Sequence, residues 1–299
     1  MSHTTLISAE QLQALMKSSP LLRIFDCTFD LAQPHLGEQL YLQAHIPSAI
    51  YADLDTALSA KHGVPGAHGV LTATGADAPA SGGRHPLPNR ERFATWLSSV
   101  GMGNGMQAVV YDRNGANYCG RLWWMLKWAG HENVAVLDGG LQAWQAAGGA
   151  VNQGEEPAHF QANFLLGPPL AQLVDADTVM QQLGRPAQTL IDARATPRFK
   201  GEVEPLDPVA GHIPGALNRP FSHNLTPEGR FKPAEQLKNE FTALLGQRSP
   251  ESVVHHCGSG VSALPNLIAM EIAGLGRTAL YAGSWSDWCS NPERPVAQG

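Results

Sequence analysis

Apolar runs that close on an acidic or small residue recur along the chain, and they recur in pairs. "LLRIFDC" (21–27) resembles "TLIDAR" (189–194), with Asp26 and Asp192 ending the run. "AHIPSAIY" (44–51) resembles "GHIPGALN" (211–218), "AVVYDRNG" (108–115) matches "SVVHHCGS" (252–259), and "VLDGGLQAW" (136–144) matches "LYAGSWSDW" (280–288). Val109 to Val253 and Trp144 to Trp288 share an offset of 144, whereas Asp26 to Asp192 is 166 and His45 to His212 is 167. The first half therefore carries roughly 22 extra residues, which fall in "KHGVPGAHGVLTATGADAPASGGRHPLP" (61–88), a stretch without core periodicity. Each half reads as strand, turn, HIP-containing turn and short strand, helix, Val-Val strand, helix, short strand, and a closing turn with Trp. Helices between buried strands predict an α/β fold of two similar domains, each a parallel sheet flanked by helices. The expected division is residues 1–150, a linker over 151–168, and residues 169–299.

Composition narrows the classes. The 299 residues are 43% hydrophobic and 15% charged, with 31 Gly and 22 Pro, as in a globular protein rich in turns. A formal net charge of −6 gives no reason to expect nucleic acid or an anionic membrane as partner. No run approaches the roughly 18 apolar residues of a membrane span. The N-terminus reads as a Ser8 cap opening an amphipathic helix through Leu12, Leu15 and Met16, not as a signal peptide. Cys27, Cys119, Cys257 and Cys289 are scattered, with no C-x-x-C pair, which fits reduced thiols and a cytoplasmic protein.

Cys257 stands apart from the other three. It follows a buried strand and precedes the helical pattern "SALPNLIAMEIAGLG" (262–276), where ligands of parallel sheets bind. Loop N–H groups and the helix N-terminus there are expected to favour a thiolate. Gly258 and Gly260 let the backbone curl its amides inward, and Pro265 suits the first helical turn. At the 144 offset the first half has Arg113, so only the second half can perform thiol chemistry. His255-His256-Cys257 is not a metal site, because neighbouring strand residues face opposite ways. Cys119 reads as a packed helical residue, Asp26 and Asp192 as turn residues, Trp144 and Trp288 as packing anchors, and His45 and His212 as loop ties.

Together the tandem halves, the HIP turns, "DAR…RF" (192–199), the Cys loop and "GSWSDW" resemble the two-domain rhodanese family of sulfurtransferases. The loop "CGSGVS" (257–262) is similar to the CGSGVT loop of its 3-mercaptopyruvate-using members, whereas thiosulfate-using members carry basic residues, as in CRKGVT. The resemblance implies that 1–150 is non-catalytic, that 169–299 is catalytic, and that no cofactor or metal is needed. Cys257 would take a sulfane sulfur as a persulfide, cradled by Gly258, Gly260, Val261 and Ser262, and pass it to a thiol such as thioredoxin or to cyanide. An acid–base relay would comprise Ser259, His85 in "GRHPLP" and Asp55 in "DLD" (53–55), the surplus segment delivering His85 across the domain interface. Arg198 in "PRFKG" would bind the donor carboxylate.

One departure stands out. Where the mercaptopyruvate members have a second arginine nine residues later, this chain has Asp207, with Lys200 and Arg219 as other nearby cations. Thiosulfate as donor and a non-catalytic sulfur carrier are the rival readings. Phosphatases of this fold need Cys-x5-Arg, and Ala263 stands where that arginine would be.

Overall fold

A computed structural model describes residues 2–60 and 78–299, so the surplus segment between 61 and 77 lies outside the described residues. The chain divides into two compact units. The first comprises the described residues of Met1–Leu58, with Asn89–Leu170 and Thr226–Phe231. The second comprises those of Ser59–Pro88, with Ala171–Leu225 and Lys232–Gly299.

The first unit runs β1 (Leu6–Ile7), α1 (Ala9–Ser18), β2 (Leu22–Asp26), α2 (Leu36–Gln43), β3 (Ala49–Tyr51), α3 (Arg90–Ser99), β4 (Gln107–Tyr111), α4 (Cys119–Trp128), β5 (Val134–Leu137) and α5 (Gly140–Ala146). The second runs β6 (Gln172–Val174), α6 (Ala176–Gln181), β7 (Thr189–Asp192), α7 (Thr196–Lys200), β8 (Leu217–Asn218), α8 (Ala234–Leu245), β9 (Val253–His256), α9 (Leu264–Ile272), β10 (Ala279–Tyr281) and α10 (Ser284–Trp288). The sheet orders are β1-β5-β4-β2-β3 and β6-β10-β9-β7-β8, the same pattern twice, with every pair parallel. The Val-Val strands β4 and β9 are central and buried along their length, β9 including its closing His255 and His256.

The tandem α/β fold is as expected, with two additions. Each unit has an edge strand ahead of the expected plan, β1 on β5 and β6 on β10, too short at two or three residues to stand out in sequence. The closing turn with Trp is a short helix, α5 or α10. Ser8 caps α1 as expected, its hydroxyl accepting from Gln11 N–H while the Gln11 side chain accepts from Ser8 N–H.

The repeat extends to individual hydrogen bonds. Asp26 Oδ1 accepts from Thr28 N–H at 2.8 Å, and Asp192 Oδ1 from Arg194 N–H at 2.9 Å. His45 Nδ1 lies 2.8 Å from the Tyr41 carbonyl with its ring on Tyr41, as His212 Nδ1 lies 2.8 Å from the Phe199 carbonyl with its ring on Phe199. Trp144 and Trp288 are buried and donate Nε1–H to the Ala150 and Pro295 carbonyls. Each unit packs its own core: Ile7, Leu12, Ile24, Val109 and Trp144 in the first, Val179, Leu190, Ile213, Val254 and Trp285 in the second.

Candidate active site

Strand β9 ends at His256, and Cys257 follows it at the carboxyl edge of the sheet, between the ends of β7 and β10. Three bonds fix the loop. Cys257 N–H donates to Ser284 Oγ at 3.1 Å, Trp285 N–H to the Cys257 carbonyl at 3.0 Å, and Ser286 N–H to the Gly258 carbonyl at 2.9 Å. Gly260 has φ +73°, and a Cβ there would overlap the Ala282 carbonyl. The N–H groups of Gly258, Ser259, Val261 and Ser262 find no acceptor among the described residues. N–H groups left open in this way can hold an anion beside Cys257, at the start of α9.

The first unit supplies an internal control. There Asp112 sits at the end of β4, and its own carboxylate accepts from the N–H groups of Asn114, Ala116, Tyr118 and Cys119 at 2.8–3.1 Å. The same loop that stands open after β9 is thus filled by a carboxylate after β4.

Within the second unit, His85 Nδ1 is 2.8 Å from Ser259 Oγ, and both side chains are buried. Asp55 belongs to the first unit. The local turn there is capped by Asp53, whose Oδ1 accepts from the N–H groups of Asp55 and Thr56. Cys257, Gly258, Ser259, Gly260, Val261, Ser262, His85 and Arg198 all lie in the second unit.

Arg198, on α7, is held by two carboxylates: its Nη2 donates to Glu204 Oε1 at 2.6 Å and to Asp207 Oδ2 at 3.3 Å. Glu204 also accepts from Arg194, which forks onto Asp192 and lies over the Trp285 ring at 4.7 Å. The other oxygen of Asp207 pairs with Arg84. Sequence reasoning misses Arg84 and Glu204; an arginine directly before His85, and two acids just after "PRFKG", are the signals that could flag them. Arg219 is committed elsewhere, to Glu240 at 2.7 Å and over Phe241. Lys200 reaches only Glu202, at 3.9 Å on an exposed surface.

The remaining cysteines are unsuited to thiolate chemistry. Burial pushes Cys27 and Cys119 well above the usual thiol range and Cys289 to about 11. His255 and His256 face apart, the first 3.2 Å from Met270 Sδ and the second 3.9 Å from Asp192 Oδ2. Among the described residues, no three His, Cys, Asp or Glu side chains gather to hold a metal, and no helix is long and apolar enough to cross a membrane.

Known proteins give the same picture. A rhodanese-like domain matches residues 8–147 and again 175–291. The chain is 46% identical over 303 residues, all of both chains, to a probable 3-mercaptopyruvate sulfurtransferase of Pseudomonas aeruginosa. It is 36% identical to a putative thiosulfate sulfurtransferase of Mycobacterium tuberculosis, covering 98% of this chain and 97% of the other. Among solved structures it superposes on a 3-mercaptopyruvate sulfurtransferase of Escherichia coli with a TM-score of 0.76 and 28% identity, over 95% of this chain and 99% of that one. Two matched domains and a relative alike from end to end place this chain in the rhodanese family.

Proposed function

We propose that the chain is a 3-mercaptopyruvate sulfurtransferase with Cys257 as its nucleophile. The observation that carries this reading is the buried thiol of Cys257 beside the open N–H groups of Gly258, Ser259, Val261 and Ser262 and the Ser259–His85 hydrogen bond of 2.8 Å. The Cys257 thiolate attacks the donor sulfur, the S–Sγ bond forms, and the C3–S bond breaks with its electron pair passing to C3 as pyruvate enolate. The proton carried in on the donor thiol ends on C3, leaving the persulfide ionised against the N–H groups of Gly258 to Ser262 and the product as pyruvate. Ser259, His85 and Asp55 would relay that proton. Arg198 would hold the donor carboxylate. An acceptor thiolate such as thioredoxin's, or cyanide, then attacks the outer sulfur and releases the Cys257 thiolate. Residues 1–150 would be the non-catalytic domain, 151–168 the linker and 169–299 the catalytic domain. A cytoplasmic location fits the reduced thiols.

Thiosulfate is the second reading for the donor, favoured by the two cations, Arg84 and Arg198, that lie over Gly258. Steady-state rates with both donors decide. Wild type should prefer mercaptopyruvate and Cys257→Ser should transfer no sulfur from either. His85→Ala should lower turnover with mercaptopyruvate by about 10²–10⁴-fold, the usual worth of a positioned acid–base group, and spare thiosulfate, which leaves no enolate to protonate. Equal losses with both donors would remove His85 from the relay. A wild type that prefers thiosulfate would overturn the choice of donor.

A further inference from the structure

In the first unit, the stretch that follows α5 runs as a strap from the end of α2 to the end of α3. At its start His45 and Asn152 exchange two backbone bonds, of 3.0 and 2.9 Å, and Gly154 N–H donates to the Leu42 carbonyl at 2.8 Å. At its far end Ala162 N–H donates to the Ser98 carbonyl and Phe164 N–H to Ser98 Oγ, both at 3.0 Å. Between these ties, residues 155–159 make no backbone–backbone hydrogen bond among the described residues. A cavity of about 310 Å³ lies between this span, α2, the edge strand β3 and the end of α3. That is the small end of the range for pockets that take metabolite-sized ligands.

Its walls are of two kinds. Tyr41, Leu42, Tyr51 and Val100 give ring and hydrocarbon surface. Both tyrosine hydroxyls are already spent, Tyr41 donating to the Ala49 carbonyl at 2.8 Å and Tyr51 to the Thr28 carbonyl at 3.2 Å. The charge in the lining is of one sign: Glu38, Glu155 and Glu156 are there, and no lysine or arginine is. Glu156 is held by His45 Nε2 at 3.1 Å and Asn152 Nδ2 at 2.6 Å. Glu38 and Glu155, at the exposed rim, form no ion pair among the described residues. His159 is the one basic side chain of the lining, and burial lowers its pKa, with the charge of Arg23 adding to the effect, so its ring is neutral at about pH 7. Arg23 is not in the lining and donates to the Leu22 and Gly101 carbonyls.

Carboxylates spread around an apolar pocket select by charge and by body together. A metal ion needs its ligands gathered, and among the described residues no three His, Cys, Asp or Glu side chains gather to hold one. An anion would meet three carboxylates and no cation in the lining. A neutral apolar molecule would gain burial and leave the charge unused. An organic ammonium ion uses both, its body covering the apolar wall while its charge meets the rim carboxylates, with the tyrosine rings adding their own attraction for a cation.

We propose that this cavity is a binding site for a small organic ammonium ion, its hydrocarbon body against Tyr41, Tyr51 and Val100 and its charged end at Glu38 and Glu155. The site belongs to the unit without Cys257, and it depends neither on the sulfur donor nor on sulfur transfer. Residues 155–159, within the stretch expected to be a linker, form one of its walls.

The test is isothermal titration calorimetry of the full chain with 2-phenylethylamine and with 2-phenylethanol, which has the same body without the charge. The amine should bind at a single site, roughly tenfold tighter than the alcohol, and its affinity alone should fall as salt is raised. An exposed carboxylate contributes modestly, so Glu38→Gln and Glu155→Gln should each weaken the amine roughly two- to fivefold. Ser99 lines the cavity from the surface, and Ser99→Trp should plug it and abolish amine binding in a chain that still melts cooperatively. A wild type that does not bind the amine would overturn the proposal. So would equal affinities for amine and alcohol, amine binding that survives Ser99→Trp, or amine binding that neither glutamine substitution weakens.

Discussion

Gly258 and Gly260 look alike in sequence, where both read as aids to backbone curl. Only Gly260 serves that end, with φ +73°. Its counterpart at the 144 offset, Ala116, holds φ +63° with a side chain, so the left-handed conformation alone does not demand glycine. The Ala282 carbonyl does, since it occupies the place of a Cβ at 260. Gly260→Ala should therefore cost about 1–3 kcal/mol in a denaturant melt and distort the cradle enough to abolish most sulfur transfer. A fully active variant would show that the loop can yield. A Cβ at Gly258 would meet only the ends of the Arg84 and Arg198 side chains, a neighbourhood that no local pattern discloses because those side chains arrive from segments 60 and more residues away. For the same reason Asp207 is visible in the sequence as a departure while its partner Arg84 is not.

At the scale of elements, the long signals are legible in the sequence and the short ones are not. The Val-Val pairs of β4 and β9 and the cap of α1 follow from pattern and capping chemistry. Strand β1, at two residues, and helix α10, at five, gain their form from tertiary partners and leave no periodicity to read. Strand β9 has one property that its sequence does suggest: it buries two adjacent histidines at the centre of a sheet. Burial lowers both pKa values, that of His255 to about 3, with the charges of His256 and Arg219 adding to the effect. His255 stays neutral in the folded chain while the unfolded chain takes up its proton below about 6.5, so this contribution is complete above that pH and is lost as pH falls towards 3. From about pH 6.5 to 5 it amounts to about 2 kcal/mol for the one ring. Urea melts across that range should show the loss in wild type and a shallower one in His255→Gln. Parallel curves would mean that another group governs the acid limb.

Across the whole molecule, the repeat offsets alone disclose two similar halves, because an insertion shifts register without disturbing the strands on either side. What they do not disclose is how the two strand-end loops differ. Arg113 in place of the thiol is only part of the difference. Asp112 fills the first loop, taking four N–H donors, whereas after β9 the N–H groups of Gly258, Ser259, Val261 and Ser262 have no acceptor among the described residues. Moving the thiol should therefore fail: Arg113→Cys combined with Cys257→Ser should show no sulfur transfer with either donor. Recovered transfer would mean that a cysteine at the strand end suffices. The two cradles also differ in what they cost the resting chain. One is filled by its own side chain, while in the other the N–H groups of Gly258, Ser259, Val261 and Ser262 have no acceptor among the described residues. Under the proposed chemistry the persulfide supplies one, so loading the chain with sulfur would tighten its fold as a bound ligand does, and the temperature at which it melts would gauge how much sulfur it carries.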